Sequence, residues 1–165
     1  MRVYLPATST QLRTFVEHGS LRPAPLTAFA VTPGLREWYV DDDVEALEYA
    51  ALTEAARGSL RLLDAEPEAA RRRIVLAADV DDNAVTVRDD LDRGVVQIDE
   101  PIPWPAVASV HVDDAEAAET VGRAAEAIIA ADVGDPGSQE QVDDAEGFEL
   151  SWYAPQEIPH LLAEF

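Results

Sequence analysis

Apolar positions along this chain change their period several times, and those changes divide it into elements. Arg2-Val3-Tyr4-Leu5 alternates and carries β-forming side chains, which predicts an opening strand ended by Pro6. Thr8-Ser9-Thr10 offers N-cap hydroxyls for a short helix through about Val16, stopped at Gly19. Pro23 and Pro25 make the next link extended, and the apolar run 26–31 predicts a second, buried strand. Pro33-Gly34 then opens a turn into one or two helical turns over 35–39.

Asp41-Asp42-Asp43 sets a cap and three negative charges at the positive end of the next helix. Over 44–63, Val44, Leu47, Ala51, Ala55 and Leu62 recur at three- and four-residue spacing, the stripe of an amphipathic helix. Gly58 inside it costs about 1 kcal/mol relative to alanine, so it marks a close packing contact. The continuous apolar run 74–78 predicts an interior strand, and 85–87, after a polar turn at 81–83, alternates as its hairpin partner. Strands follow over 95–98 and 107–112, so four strand candidates lie mostly in meander order.

Asp113-Asp114 caps a second helix over 115–131, whose Ala117, Val121, Ala124 and Ile128 form the buried stripe. Residues 132–147, with Gly134-Asp135-Pro136-Gly137-Ser138, read as a mobile linker. A last strand over 148–153 and a short helix over 156–162 close the chain. The irregular alternation predicts a single α+β domain spanning 1–165. Its mostly antiparallel or mixed sheet has about five to seven strands, packed with two main helices and short accessory ones.

Charge alters this picture in one respect. The formal net charge is -21, yet residues 1–73 hold nine Arg against eleven acids, while residues 74–165 hold three Arg against twenty-two. Lysine is absent. Two readings follow: a composition bias of a high-GC or salt-adapted proteome, or an acidic face for a basic protein partner. Either way the acidity repels phosphate and anionic lipid, so neither direct nucleic-acid binding nor membrane association is expected. With no cysteine, no signal peptide and no long apolar stretch, the expectation is a cytoplasmic protein.

The stretches Met1-Arg2-Val3-Tyr4-Leu5-Pro6, Ala24-Pro25-Leu26-Thr27-Ala28 through Leu35-Arg36-Glu37-Trp38-Tyr39, His111-Val112-Asp113-Asp114 and Ser151-Trp152-Tyr153-Ala154-Pro155-Gln156-Glu157 resemble an uncharacterised family of small acidic actinobacterial proteins. That resemblance implies a single-domain cytoplasmic protein from a high-GC genome. It brings no catalytic residue with it.

Candidate chemistry is sparse. Asp79-Val80-Asp81-Asp82-Asn83 alternates oxygen ligands, but a calcium loop needs glycine at its sixth position and glutamate at its twelfth, where Ala84 and Asp90 stand. A solvated turn is the better reading. His18, His111 and His160 are each alone in their segments, so no metal site and no cofactor are expected. His111-Val112-Asp113 sets an imidazole and a carboxylate at one strand end, an acid–base arrangement or simply a half-buried histidine. There is no nucleophile elbow, phosphate loop or dinucleotide fingerprint. The pairs Trp38-Tyr39 and Trp152-Tyr153 read as core packing, or else as walls of an apolar groove.

Two functions are thus carried forward: a non-enzymatic binding or regulatory protein whose acidic second half meets a basic partner, and a small enzyme or ligand binder with a pocket near Arg36, Glu48, His111, Tyr153 and Glu157.

Overall fold

The most continuously apolar stretch, Ile74–Asp79, lies inside the sheet, where both its faces are covered. The structure is a computed structural model describing residues 1–39 and 43–165. In chain order the strands and helices are β1 (Arg2–Ala7), α1 (Ser9–His18), β2 (Ser20–Leu21), β3 (Leu26–Phe29), α2 (Pro33–Trp38), α3 (Val44–Asp64), β4 (Ile74–Asp79), β5 (Val85–Val87) and β6 (Val95–Ile98). They continue with β7 (Ile102–Pro103), β8 (Val107–Val112), α4 (Ala118–Asp132), α5 (Pro136–Glu146), β9 (Ser151–Tyr153) and α6 (Ile158–Leu162). Seven strands form one antiparallel sheet in the order β5-β6-β3-β1-β4-β8-β9, and β2 pairs separately with β7. The fold is α+β, as the pattern of elements predicts.

Alternation within the strands assigns the two faces. Val3, Leu5, Ile74, Leu76, Val110 and Val112 point to one face, where Leu12 and Phe15 of α1 and Ile158 and Leu161 of α6 cover them. Tyr4, Phe29, Val75 and Ala77 point to the other, against Ala51 and Ala55 of α3. Beyond the sheet, Leu60 and Leu63 of α3 pack on Val121, Ala124 and Ile128 of α4. Gly58 does mark a close approach: a Cβ there would stand 3.1 Å from Pro6 Cγ and 3.3 Å from Phe29 Cε2.

Four features depart from the pattern-based expectation. The segment 85–87 is not the hairpin partner of 74–78: β4 is flanked by β1 and β8, and β5 pairs with β6 at the far edge. A strand apolar on both faces needs covered neighbours, which a short, half-exposed β5 would not supply. Residues 132–147 are not a featureless linker, for Pro136–Glu146 is helix α5. Asp135 caps it, Pro136 occupies the first turn where its missing N–H is harmless, and Val142 and Ala145 bury against α4. Pro6 lies inside β1 without ending it, and β3 stops at Phe29, short of Val31. Of the three cap aspartates, Asp43 accepts from the Glu45 N–H at 3.2 Å, while Asp41 and Asp42 lie outside the described residues.

The lopsided charge is folded across itself. Arg2 meets Asp79, Arg57 meets Glu146 and Asp143, Arg61 meets Asp132, and Arg73 meets Asp113, each a cation from residues 1–73 against an acid from beyond. Arg73 and Asp113 are fully buried; the guanidinium donates to both carboxylate oxygens at 2.8 Å and to the Phe148 carbonyl at 2.9 Å. The Arg73 N–H also donates to Asp113 Oδ2 at 2.8 Å, and the Asp113 N–H returns a bond to the Arg73 carbonyl.

Another acid is equally committed. Asp89 accepts from Thr32 Oγ1 at 2.6 Å, from the Gly34 N–H at 3.0 Å and from the Gly94 N–H at 2.9 Å. Partial burial works to raise its pKa, and those three donors more than offset it, holding the carboxyl below its usual range.

Candidate functional site

Four of the five residues singled out from the sequence scatter over the sheet. Arg36 is exposed on α2. Glu157 accepts from the Ala154 N–H at 2.7 Å, a local cap. Tyr153 sits opposite Val110 in the ladder and packs into the α1 and α6 face. His111 sits opposite Val75 and Trp152, which puts it on the α3 face. Only Glu48, half-buried on α3, joins His111 on that side.

What the fold assembles around Glu48 and His111 comes from alternation in β1 and β8. Arg2 and Tyr4 point away from Val3 and Leu5, and Ser109 shares His111's side of β8. Tyr4 Oη donates to Glu48 Oε2 at 3.3 Å; burial and then the Glu48 charge push the phenol up to about 12. Ser109 Oγ lies 3.0 Å from His111 Nε2. Burial, then the positive Arg2, lowers the His111 pKa, so the neutral imidazole is favoured near neutral pH and can accept the serine hydroxyl. Arg2 is itself held by Asp79, through Nε at 2.8 Å and Nη2 at 3.0 Å.

Among the described residues no carboxylate bonds the other nitrogen of the His111 ring, so the third member of a nucleophilic triad is not built here. Nor is any group of three or more His, Asp or Glu side chains among the described residues placed to hold a metal ion. Asp79 and Asp82 are turned instead toward Arg2 and the Met1 amine.

Beside this cluster runs an apolar groove of about 260 Å³ between α3 and the approach to β9. Leu52, Ala56, Leu60, Phe148 and Leu150 form its walls, with Glu146, Glu149, Arg57 and Arg73 among them. Both guanidiniums are already bound to carboxylates. Tyr49, on the groove wall, is 59% exposed, and Trp152, cross-strand from His111, is 62% exposed. Large aromatics left this open have forgone a substantial burial free energy. β9 is also the last strand of the sheet, with no strand beyond it among the described residues.

The expectation that the Trp-Tyr pairs are core therefore holds for Tyr153 alone of the four, Tyr39 too being 38% exposed. Tyr153 is packed, Trp152 is open, and Trp38 is 61% exposed with the Arg93 guanidinium 3.6 Å above its ring. Tyr49, Tyr4, Arg2 and Ser109 were not singled out from the sequence. The alternation of Arg2 and Tyr4 against Val3 and Leu5 was the available signal for two of them.

No helix is long and apolar enough to cross a membrane among the described residues. Comparison with curated proteins and with solved structures finds no match to this chain. A family model matches residues 1–162, nearly the whole length, and by it the chain belongs to the family of unknown function DUF6912.

Proposed function

We propose that this is a non-enzymatic, cytoplasmic binding protein whose acidic end receives a basic segment of a partner protein at the groove beside β9. The observation that carries this reading is the pairing of two open aromatics with an apolar-walled groove, one side of which, Glu146 to Leu150, comes from the most anionic part of the chain. Residues 113–165 hold fourteen Asp and Glu against one Arg. An apolar core rimmed by charge is the anatomy of a transient interface, and complementary potential supplies on-rate and selectivity. The free side of Ser151–Tyr153 offers backbone groups to an added strand, and Trp152 offers its ring to a guanidinium.

The test is photo-cross-linking from position 152, with p-benzoylphenylalanine in place of Trp152. Adducts at low salt with an Arg-rich or Lys-rich segment, lost at high salt, are the expected result. Glu116→Gln with Glu149→Gln should weaken them while the melting temperature holds. Adducts indifferent to salt, or none at low salt, would remove the proposal.

A further inference from the structure

A larger opening, about 550 Å³, lies between α1, β3 and α3, within the size range of small-molecule sites. Its origin is local. β1 and β3 pair at Tyr4 and Phe29, and no further pair forms toward Pro6 and Thr27. Pro6 has no N–H with which to continue a ladder, and Pro23 and Pro25 precede β3 at the mouth. The parted strands leave a wedge walled by Leu5, Phe15 and Leu26 on one side and by Pro6, Phe29 and Leu62 on the other. Gly58 brings α3 down onto this wedge, within van der Waals reach of Pro6 and Phe29.

The polar groups here differ from those elsewhere in the molecule. Arg22 stands exposed at the mouth, its guanidinium 2.6 Å from His18 Nδ1, and makes no ion pair with a carboxylate among the described residues. Arg61 lines the opposite wall with Nε and Nη2 on Asp132, which leaves Nη1 for another acceptor. Thr27, mid-strand and exposed, adds a hydroxyl. The charged residues lining the cleft are two arginines, Arg22 and Arg61, with no acid among them, in a chain of net charge -21.

We propose that this cleft binds a small amphiphilic monoanion, an organic acid with an aryl or alkyl body in the wedge and its acid group at Arg22. This stands independently of the partner site beside β9. A neutral apolar ligand would leave Arg22 unused, and a polyanion would be repelled by the chain as a whole.

A matched pair of fluorescent probes tests it: the anion 1-anilinonaphthalene-8-sulfonate and its uncharged counterpart N-phenyl-1-naphthylamine, titrated into the folded protein. The anion should bind one-to-one and saturably, and more tightly than the neutral probe. Arg22→Gln should weaken the anion about fivefold at low salt and leave the neutral probe unchanged. Thr27→Trp should block both. Should that variant fail to fold, Thr27→Glu places a negative charge at the same mouth and should weaken the anion alone. Equal affinity for the two probes would overturn the anion assignment. Anion binding that survives both Thr27 substitutions would overturn the site.

Discussion

The first 36 residues and the last 53 use opposite solutions to the same problem of charge. In residues 1–36 the guanidiniums of Arg13 and Arg22 bond neutral acceptors, the Leu162 carbonyl and His18 Nδ1, and so remain available cations. In residues 113–165 the acids divide into two kinds. Asp113, Asp132, Asp143 and Glu146 are claimed by arginines from the first half, whereas Glu126, Glu140, Asp144 and Glu149 project without an ion pair among the described residues. The difference teaches that net charge is a poor guide to function until spent charges are separated from spare ones. The spent acids hold the halves together; the spare ones can meet a partner.

The comparison breaks most severely at Arg73. Arg73→Met should destabilise by about 3–5 kcal/mol in urea denaturation, because it strands a buried Asp113 carboxylate. Arg73→Met with Asp113→Leu should recover a good part of that loss. A single substitution costing under about 1 kcal/mol would mean the pair is not the seam between the halves.

Within the acidic half, the contrast sharpens between Asp89 and its neighbour. Asp89→Asn should cost about 1–3 kcal/mol, since an amide cannot accept from all three donors with equal strength. Asp90 is paired with Arg88 on the open surface, and Asp90→Asn should leave the unfolding midpoint nearly unchanged. Equal midpoints for the two variants would erase the distinction between an acid that ties elements of the fold together and one paired only at the open surface.

Smaller still is the response to salt. Screening weakens both the half-exposed pairs of Arg57 and Arg61 and the repulsion among unpaired acids, and the acids outnumber the pairs. The melting temperature should therefore rise by about 2–4 °C between low and molar sodium chloride. A fall would show that cross-half pairing dominates.

The smallest effect is a pH slope. The folded pKa of His111 lies below its unfolded value, so the folded state binds fewer protons between the two. Its contribution to stability is complete above the unfolded pKa of about 6.5 and is lost as pH falls through the folded value. His111→Gln should flatten this part of the stability curve between pH 7 and 5. An unchanged slope would return the effect to the carboxylates.

The parts of the fold written in long apolar periods were legible in the sequence. The Val44–Asp64 helix, the Ile74–Asp79 strand and the 118–132 helix follow directly from stripes of three and four or from unbroken apolar runs. Helix α5 was hidden because it buries only Val142 and Ala145, too few to stand out against Gly134, Pro136 and Gly137. Strand order was hidden for a different reason, since pairing across β4 depends on which neighbours can cover both its faces. The candidate site was legible one residue at a time. Glu48 and His111 could be named, but their meeting with Tyr4, Arg2 and Ser109 is a product of register, and register is absent from a one-dimensional pattern. The cleft between β1 and β3 had only ambiguous written signs: Pro6 reads equally well as the end of a strand, and Pro23 and Pro25 as an extended link.

The Arg73 and Asp113 contact also constrains how sequences of this fold can drift. Each residue alone is a liability in a dry interior, so a lineage that loses one must pass through a destabilised intermediate before it can replace the other. Positions 73 and 113 should consequently vary as a unit, kept as an arginine and an aspartate or exchanged together for apolar residues. Because the guanidinium also holds the Phe148 carbonyl, an exchange of the two charges in place would leave that oxygen without its donor. Related chains should thus carry the pair in this orientation or not at all.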